Sequence, residues 1–211
     1  MAVRLELNIT LDGFTSGNQT PENPMGEDWS RLMAAYTATR TMRERVFKDS
    51  SGAGTTGVDD KYAEAYFAGI GAEILGAGMF GFHSFPDDPD WQGWWGDEPP
   101  FHFPVFVLTH RAPRPSIQKA DMTFHFLSVA PEEALERARD AAGGKDVRVG
   151  GGMRVARDFL KAGLVDQLHV GLAPIILDRA VRLWSAVRAL ASAGESPPGP
   201  ERPDQDHATV S

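Results

Sequence analysis

Val147-Arg148-Val149-Gly150-Gly151-Gly152-Met153-Arg154-Val155-Ala156 reads as a strand that runs into a helix through three consecutive glycines. On its N-terminal side, Phe124, Phe126 and Val129 mark a strand or its end. Pro131 with Glu132 and Glu133 then opens a helix in the positions that proline and acids favour. Leu135, Ala138 and Ala142 share the buried face of that helix, and Gly143-Gly144 closes it. On the C-terminal side, Val155, Ala156, Phe159 and Leu160 turn inward along a second helix that ends at Gly163. Leu168, Val170 and Leu172 then alternate with Gln167, His169 and Gly171. The order is strand, helix, strand, glycines, helix, strand, which predicts an α/β sheet.

A glycine junction of this kind can bind an anion. Without Cβ atoms the backbone can come close to a diphosphate, and the first N–H groups and the positive end of the helix dipole favour its charge. The same three glycines also suit a tight strand-to-helix turn that needs unusual dihedral angles. Both readings stand on the residues alone.

Toward the N-terminus, Val3, Leu5, Leu7, Ile9 and Leu11 alternate with Arg4, Glu6, Asn8, Thr10 and Asp12, the period of a strand, which Asp12-Gly13 ends. Residues 15–28 are rich in turn formers. A weakly amphipathic helix is predicted from about Trp29 to Phe47, and Asp59 is placed to cap another that runs to about Ile70. Glu73-Ile74-Leu75 predicts a short buried strand broken at Gly76-Ala77-Gly78. The proline-rich stretch from Phe85 to Pro104, with Trp91, Trp94 and Trp95, predicts an aromatic flap rather than a regular element. Val105 to Leu108 form an apolar strand that ends at Thr109.

Gly76-Ala77-Gly78-Met79-Phe80-Gly81 matches G-x-G-x-x-G in form, but a Rossmann unit needs a helix and a second strand next, and the flap intervenes. The turn serves either a bound cofactor or chain reversal. Thr109-His110-Arg111 lies past a strand end, where α/β sheets commonly bind ligands, so Arg111 either grips a phosphate or is a solvated loop arginine. The six histidines show no close ligand spacing, and there is no G-x-S-x-G elbow or P-loop. The flap tryptophans suit stacking on a heterocycle or packing in a core.

The chain has 211 residues, 42% of them hydrophobic, and a net charge of −8, which fits one domain and disfavours nucleic acid and anionic membranes as partners. It has no cysteine, which excludes disulfides and thiolate chemistry and fits a reducing compartment. The polar alternation of residues 1–12 is unlike a signal peptide or a membrane span, so the expected location is cytoplasmic. From Gly194 to Ser211 the chain is rich in proline and acids and nearly free of apolar residues, so residues 185–211 are expected to form a loose tail after a domain of residues 1–184.

Taken in order, five pieces resemble the dihydrofolate reductase superfamily, and most closely the reductase domain of the bifunctional deaminase-reductase of riboflavin biosynthesis. They are Asn8 to Gly13, Ile74 to Phe80, Val105 to His110, Val147 to Gly152, and Ala162 to Val170 followed by Ala173-Pro174-Ile175-Ile176-Leu177. The resemblance spans about residues 3–184. It implies a three-layer α/β/α sandwich with a mixed, mostly parallel sheet and NADPH spread across the strand ends. Gly150, Gly151, Gly152, Met153 and Arg154 would hold the diphosphate, with Gly76, Gly78 and Met79 on its other side. Thr109 and Arg111 would approach the adenosine ribose and its 2′-phosphate, and Thr10 to Gly13 would border the nicotinamide.

The implied reaction is reduction of a small pyrimidine- or pteridine-like substrate, with reduction of an aminouracil ribosyl phosphate as the nearest precedent. The expected assembly is a homodimer. Asp12 and Asp28 are the candidate proton donors. The chain departs from the family in three places. Ala77 stands where relatives usually carry an arginine. Asp178-Arg179-Ala180-Val181 replaces a glycine-containing loop, and a carboxylate there is expected to repel phosphate. Residues 185–211 lack two strand-like runs, so the sheet is expected to lack or alter the family's C-terminal hairpin, and the alternative function is a non-catalytic nucleotide-binding or interaction protein.

Overall fold

The computed structural model describes residues 1–15, 25–26, 28–81, 88, 90–178 and 181–183. In chain order the elements begin with β1 (Val3–Thr10), β2 (Phe14–Thr15), α1 (Trp29–Leu32), α2 (Ala34–Thr37), α3 (Arg40–Arg45) and α4 (Val58–Phe67). They continue with β3 (Ile70–Gly76), α5 (Ala77–Phe80), β4 (Val105–Leu108), β5 (Ile117–Lys119) and β6 (Met122–Leu127). The last are α6 (Pro131–Ala141), β7 (Asp146–Gly151), α7 (Met153–Lys161), β8 (Gln167–Ala173) and β9 (Val181–Arg182).

Seven strands form one sheet in the order β5-β6-β4-β3-β7-β1-β8, while β2 and β9 pair separately. Every pairing in the large sheet is parallel except that of β5 with β6. Parallel strands need covered faces, and β3 at the centre is buried along its whole length. One face packs on α6 and α7: Val3, Leu5, Ile74, Val147 and Val149 meet Leu135, Ala138, Val155 and Phe159. The other face is covered in two parts. Met42, Ala63 and Phe67 form a small core where α3 meets α4. Farther along, Phe80, Phe124 and Phe126 lie under the flap.

The three-layer sandwich with a mixed, largely parallel sheet is therefore the observed architecture. The flap holds no helix or strand among its described residues. Its indoles tie it down: Trp91 Nε1 donates to the Phe80 carbonyl at 2.8 Å, Trp94 Nε1 donates to that of Met79 at 3.0 Å, and Trp95 stacks on Phe124.

Several local expectations change. The single helix expected over Trp29 to Phe47 is three short ones. Thr39 is extended, its hydroxyl accepts the Met42 N–H, and Arg40 N–H donates to the Thr55 carbonyl, so the helical ladder stops there. Asp59 is in the first turn of α4 rather than at its cap, which is Gly57. The carboxylate of Asp60 instead accepts the Thr41 N–H at 2.8 Å and joins α4 to α3. Strand β3 is longer than the Glu73-Ile74-Leu75 core suggested, and β5, which makes a hairpin with β6, had no strong periodic signal. Among the described residues β8 is the edge of the sheet, and Leu168 and Leu172 there are 44% and 42% exposed. The tail expected over residues 185–211, with Arg179 and Ala180, lies outside the described residues.

Candidate functional site

The C-terminal ends of β3, β4 and β7 open side by side because these strands are parallel neighbours, with Leu75 opposite Gly151 and Gly76 opposite Leu108. A cavity of about 1090 Å³ lies against them. Its strand-end part is lined by Gly76, Gly78 and Met79 on one side, by Gly150, Gly152, Met153 and Arg154 on the other, and by Thr109 and Arg111 beyond β4. Nine of the thirteen residues singled out from the sequence thus meet in one concavity.

The glycines at the junction have distinct reasons. A Cβ on Gly150 would fall 1.8 Å from Glu73 Oε1, so that position is kept small by packing within the sheet. Gly152 has φ +84, and a Cβ there would lie 3.1 Å from the Gly76 Cα, so the two turns touch backbone to backbone. Gly151 faces the flexible side chain of Met79 and does not line the cavity.

Helix α7 begins directly after this contact. The amides of Met153, Arg154 and Val155 have no hydrogen-bond partner among the described residues, and the first bond back to the turn is from Ala156 N–H to the Gly152 carbonyl. Three open donors at a helix start beside the exposed Arg154 make a positive concavity suited to an anion.

Thr10, Asp12 and Asp28 stand apart from that concavity. The Thr10 side chain is buried; its hydroxyl donates to Asp12 and accepts the Phe14 N–H at 3.0 Å. Asp12 also accepts the N–H groups of Leu177 at 3.2 Å and Asp178 at 2.8 Å. The Thr10 hydroxyl and then these two amides hold its carboxyl below the usual range, and they pin the chain after β8 to the end of β1. Asp28 precedes α1 and pairs with Arg31 at 3.1 Å. None of the three lines the cavity, and neither does Asp178.

The cavity continues onto the polar face of the sheet, where Glu6, Asn8 and His169 lie under Tyr36 of α2 and Tyr66 of α4. Glu6 Oε1 accepts from Arg4 Nη2 at 2.8 Å, and His169, its register partner on β8, stacks on Tyr62 at 4.6 Å. Sequence reasoning read Glu6 and Asn8 only as the polar half of an alternating strand and gave them no part in a site. The missed signal is that a strand inside a parallel sheet has no solvent-facing side, so polar residues alternating along it need a buried purpose. No group of three or more His, Asp or Glu among the described residues could hold a metal ion.

A family model described as the RibD C-terminal domain matches residues 1–187. The chain belongs to that family. The RibD C-terminal domain is the reductase part of the riboflavin-biosynthesis protein, in agreement with the resemblance carried by the five sequence pieces. Among solved structures, a protein from Shewanella sp. PV-4, described as having a provisional place in riboflavin biosynthesis, is 18% identical. The match covers 87% of this chain and 82% of that one with a TM-score of 0.51, a likeness of fold alone. No curated protein matches the chain. No helix among the described residues is long and apolar enough to cross a membrane.

Proposed function

We propose that this RibD C-terminal domain is an NADPH-dependent reductase of a small pyrimidine- or pteridine-like heterocycle, active in the cytoplasm as a homodimer. The observation that carries the reading is the open start of α7. The unpaired amides of Met153, Arg154 and Val155 and the Arg154 side chain face the same cavity as the Gly76 turn. These residues suit a dinucleotide: the amides of Met153, Arg154 and Val155 would hold its diphosphate, and Thr109 and Arg111 its adenosine end. When bound, the cofactor supplies the hydride; the protein's part is to grip, orient and exclude water.

Ala77 is buried and offers nothing to a 2′-phosphate, so preference for NADPH over NADH falls to Arg111. The test is a fluorescence titration with both cofactors, followed by loss of NADPH absorbance with a panel of aminouracil and pterin substrates. A micromolar Kd for NADPH, about −8 kcal/mol, is expected. Arg111→Ala should weaken NADPH and leave NADH unchanged. Failure of NADPH to bind at millimolar concentration overturns the reading. Binding without turnover of any of these substrates selects the non-catalytic alternative.

A further inference from the structure

The sheet-face part of the cavity carries three polar groups with unspent hydrogen-bonding capacity. Glu6 Oε1 is taken by Arg4, but Oε2 has no partner among the described residues, and it is not sealed from solvent-sized space. The hydroxyls of Tyr36 and Tyr66 are likewise without partners and unsealed. Their rings hold each other edge to face at 6.0 Å, and the Arg148 guanidinium lies 3.5 Å from the Tyr66 ring centre. Burial, with the Glu6 charge adding to it, pushes both phenols up, so each stays protonated and can donate. The remaining wall is apolar, with Leu32, Met33, Met42 and Phe67.

Cations at this end are already committed. Arg4 donates to Glu6 and to the carbonyls of Ala65 and Ala68, and Arg148 to Glu73 and the Tyr66 carbonyl. The guanidinium groups that line the cavity, those of Arg111 and Arg154, belong to the strand-end part.

We infer that Glu6, Tyr36 and Tyr66 form the recognition edge for the substrate ring, taking an N–H on the carboxylate and giving O–H to an adjacent carbonyl. The substrate class is an uncharged lactam or ureide heterocycle with no anionic group at this end. A buried carboxylate with apolar walls accepts a donor strongly and repels an anion. This inference rests on the reductase reading for its role and narrows the substrate.

Uracil, 5,6-dimethyluracil, 1,3-dimethyluracil and orotate serve as probes by ligand-observed NMR, against the wild type, Glu6→Gln and Tyr36→Phe, with NADPH titrated into each sample. In the wild type, uracil and 5,6-dimethyluracil should bind at least about tenfold better than 1,3-dimethyluracil, which has lost its N–H groups, and better than orotate. Glu6→Gln should weaken uracil roughly fivefold and strengthen orotate, a reversal that a folding defect cannot mimic. Tyr36→Phe, which removes an O–H donor to the ring carbonyl, should weaken uracil and 5,6-dimethyluracil alike and leave NADPH binding unchanged. Equal binding of uracil and 1,3-dimethyluracil, or no change of either ligand in Glu6→Gln, overturns the inference even where NADPH still binds. Loss of NADPH binding in the wild type would instead strike the reductase reading, and the uracil series would decide this inference by itself.

Discussion

Glu73 and Arg148 stand opposite one another on the neighbouring parallel strands β3 and β7 and form an ion pair whose side chains are 2% and 0% exposed. Burial pushes the Glu73 carboxyl up while the Arg148 guanidinium pulls it back. The guanidinium is also stacked on Tyr66 and bonded to its carbonyl, and its Nε has no partner among the described residues. The pair lies between the two parts of the cavity, with Glu73 under Gly150 and Arg148 against Tyr66.

Removing one partner leaves a buried charge unpaired. Glu73→Gln or Arg148→Met is expected to cost about 3–5 kcal/mol in urea denaturation. The double variant Glu73→Met/Arg148→Met should recover most of that loss. Additive losses in the double variant would show that the two residues act independently.

Gly152→Ala must adopt a left-handed backbone and press on the Gly76 Cα. A stability loss of about 1–2 kcal/mol is expected by thermal melting, together with weaker NADPH binding because the two turns are forced apart. Arg154→Ala, on an exposed side chain, should weaken NADPH without shifting the melting temperature. These two profiles separate the shape of the cradle from its charge.

Asp12 is a carboxylate with a depressed pKa, so its contribution to stability is fully present above its ordinary value of 3.8 and is lost as pH falls through the lower, folded value. Asp12→Asn should therefore melt below the wild type at pH 7 and at pH 5, and the gap should close as pH drops below about 3.8. Asp49, held at about 2 by Ser51 and Arg43, obeys the same sign between about 4 and about 2. A gap that widens on acidification would contradict the assigned anchoring.

Among the described residues β8 is the edge of the sheet, with Leu168 and Leu172 exposed there, a surface that favours pairing with another chain. Light scattering of the wild type is expected to show a dimer, and Leu168→Lys/Leu172→Lys is expected to shift it toward monomer. An unchanged mass would place the contact elsewhere.

The pieces most legible in the sequence were those with strong local periodicity. Residues 131–172 were readable as helix, strand, glycines, helix and strand because α6, α7 and β8 each carry their own apolar pattern and their own stop signals. The break at Thr39 was not readable, because it depends on a bond to Thr55 from a distant loop. The strand-end part of the site was found through its glycines and Arg154. The sheet-face part was missed because Glu6, Tyr36, Tyr66 and His169 lie on four separate elements with no shared spacing.

Local chemistry alone settled the α/β class, the glycine turns at strand ends and the family, since these depend on neighbours within a few residues of each other. Tertiary structure decided which polar residues are buried, and for what. The alternation along β1 is the same whether its polar side meets water or a covered cavity. Only the arrival of α4 over that face makes Glu6 a partly buried acceptor, and only the register of β3 with β7 makes Glu73 and Arg148 a sealed pair.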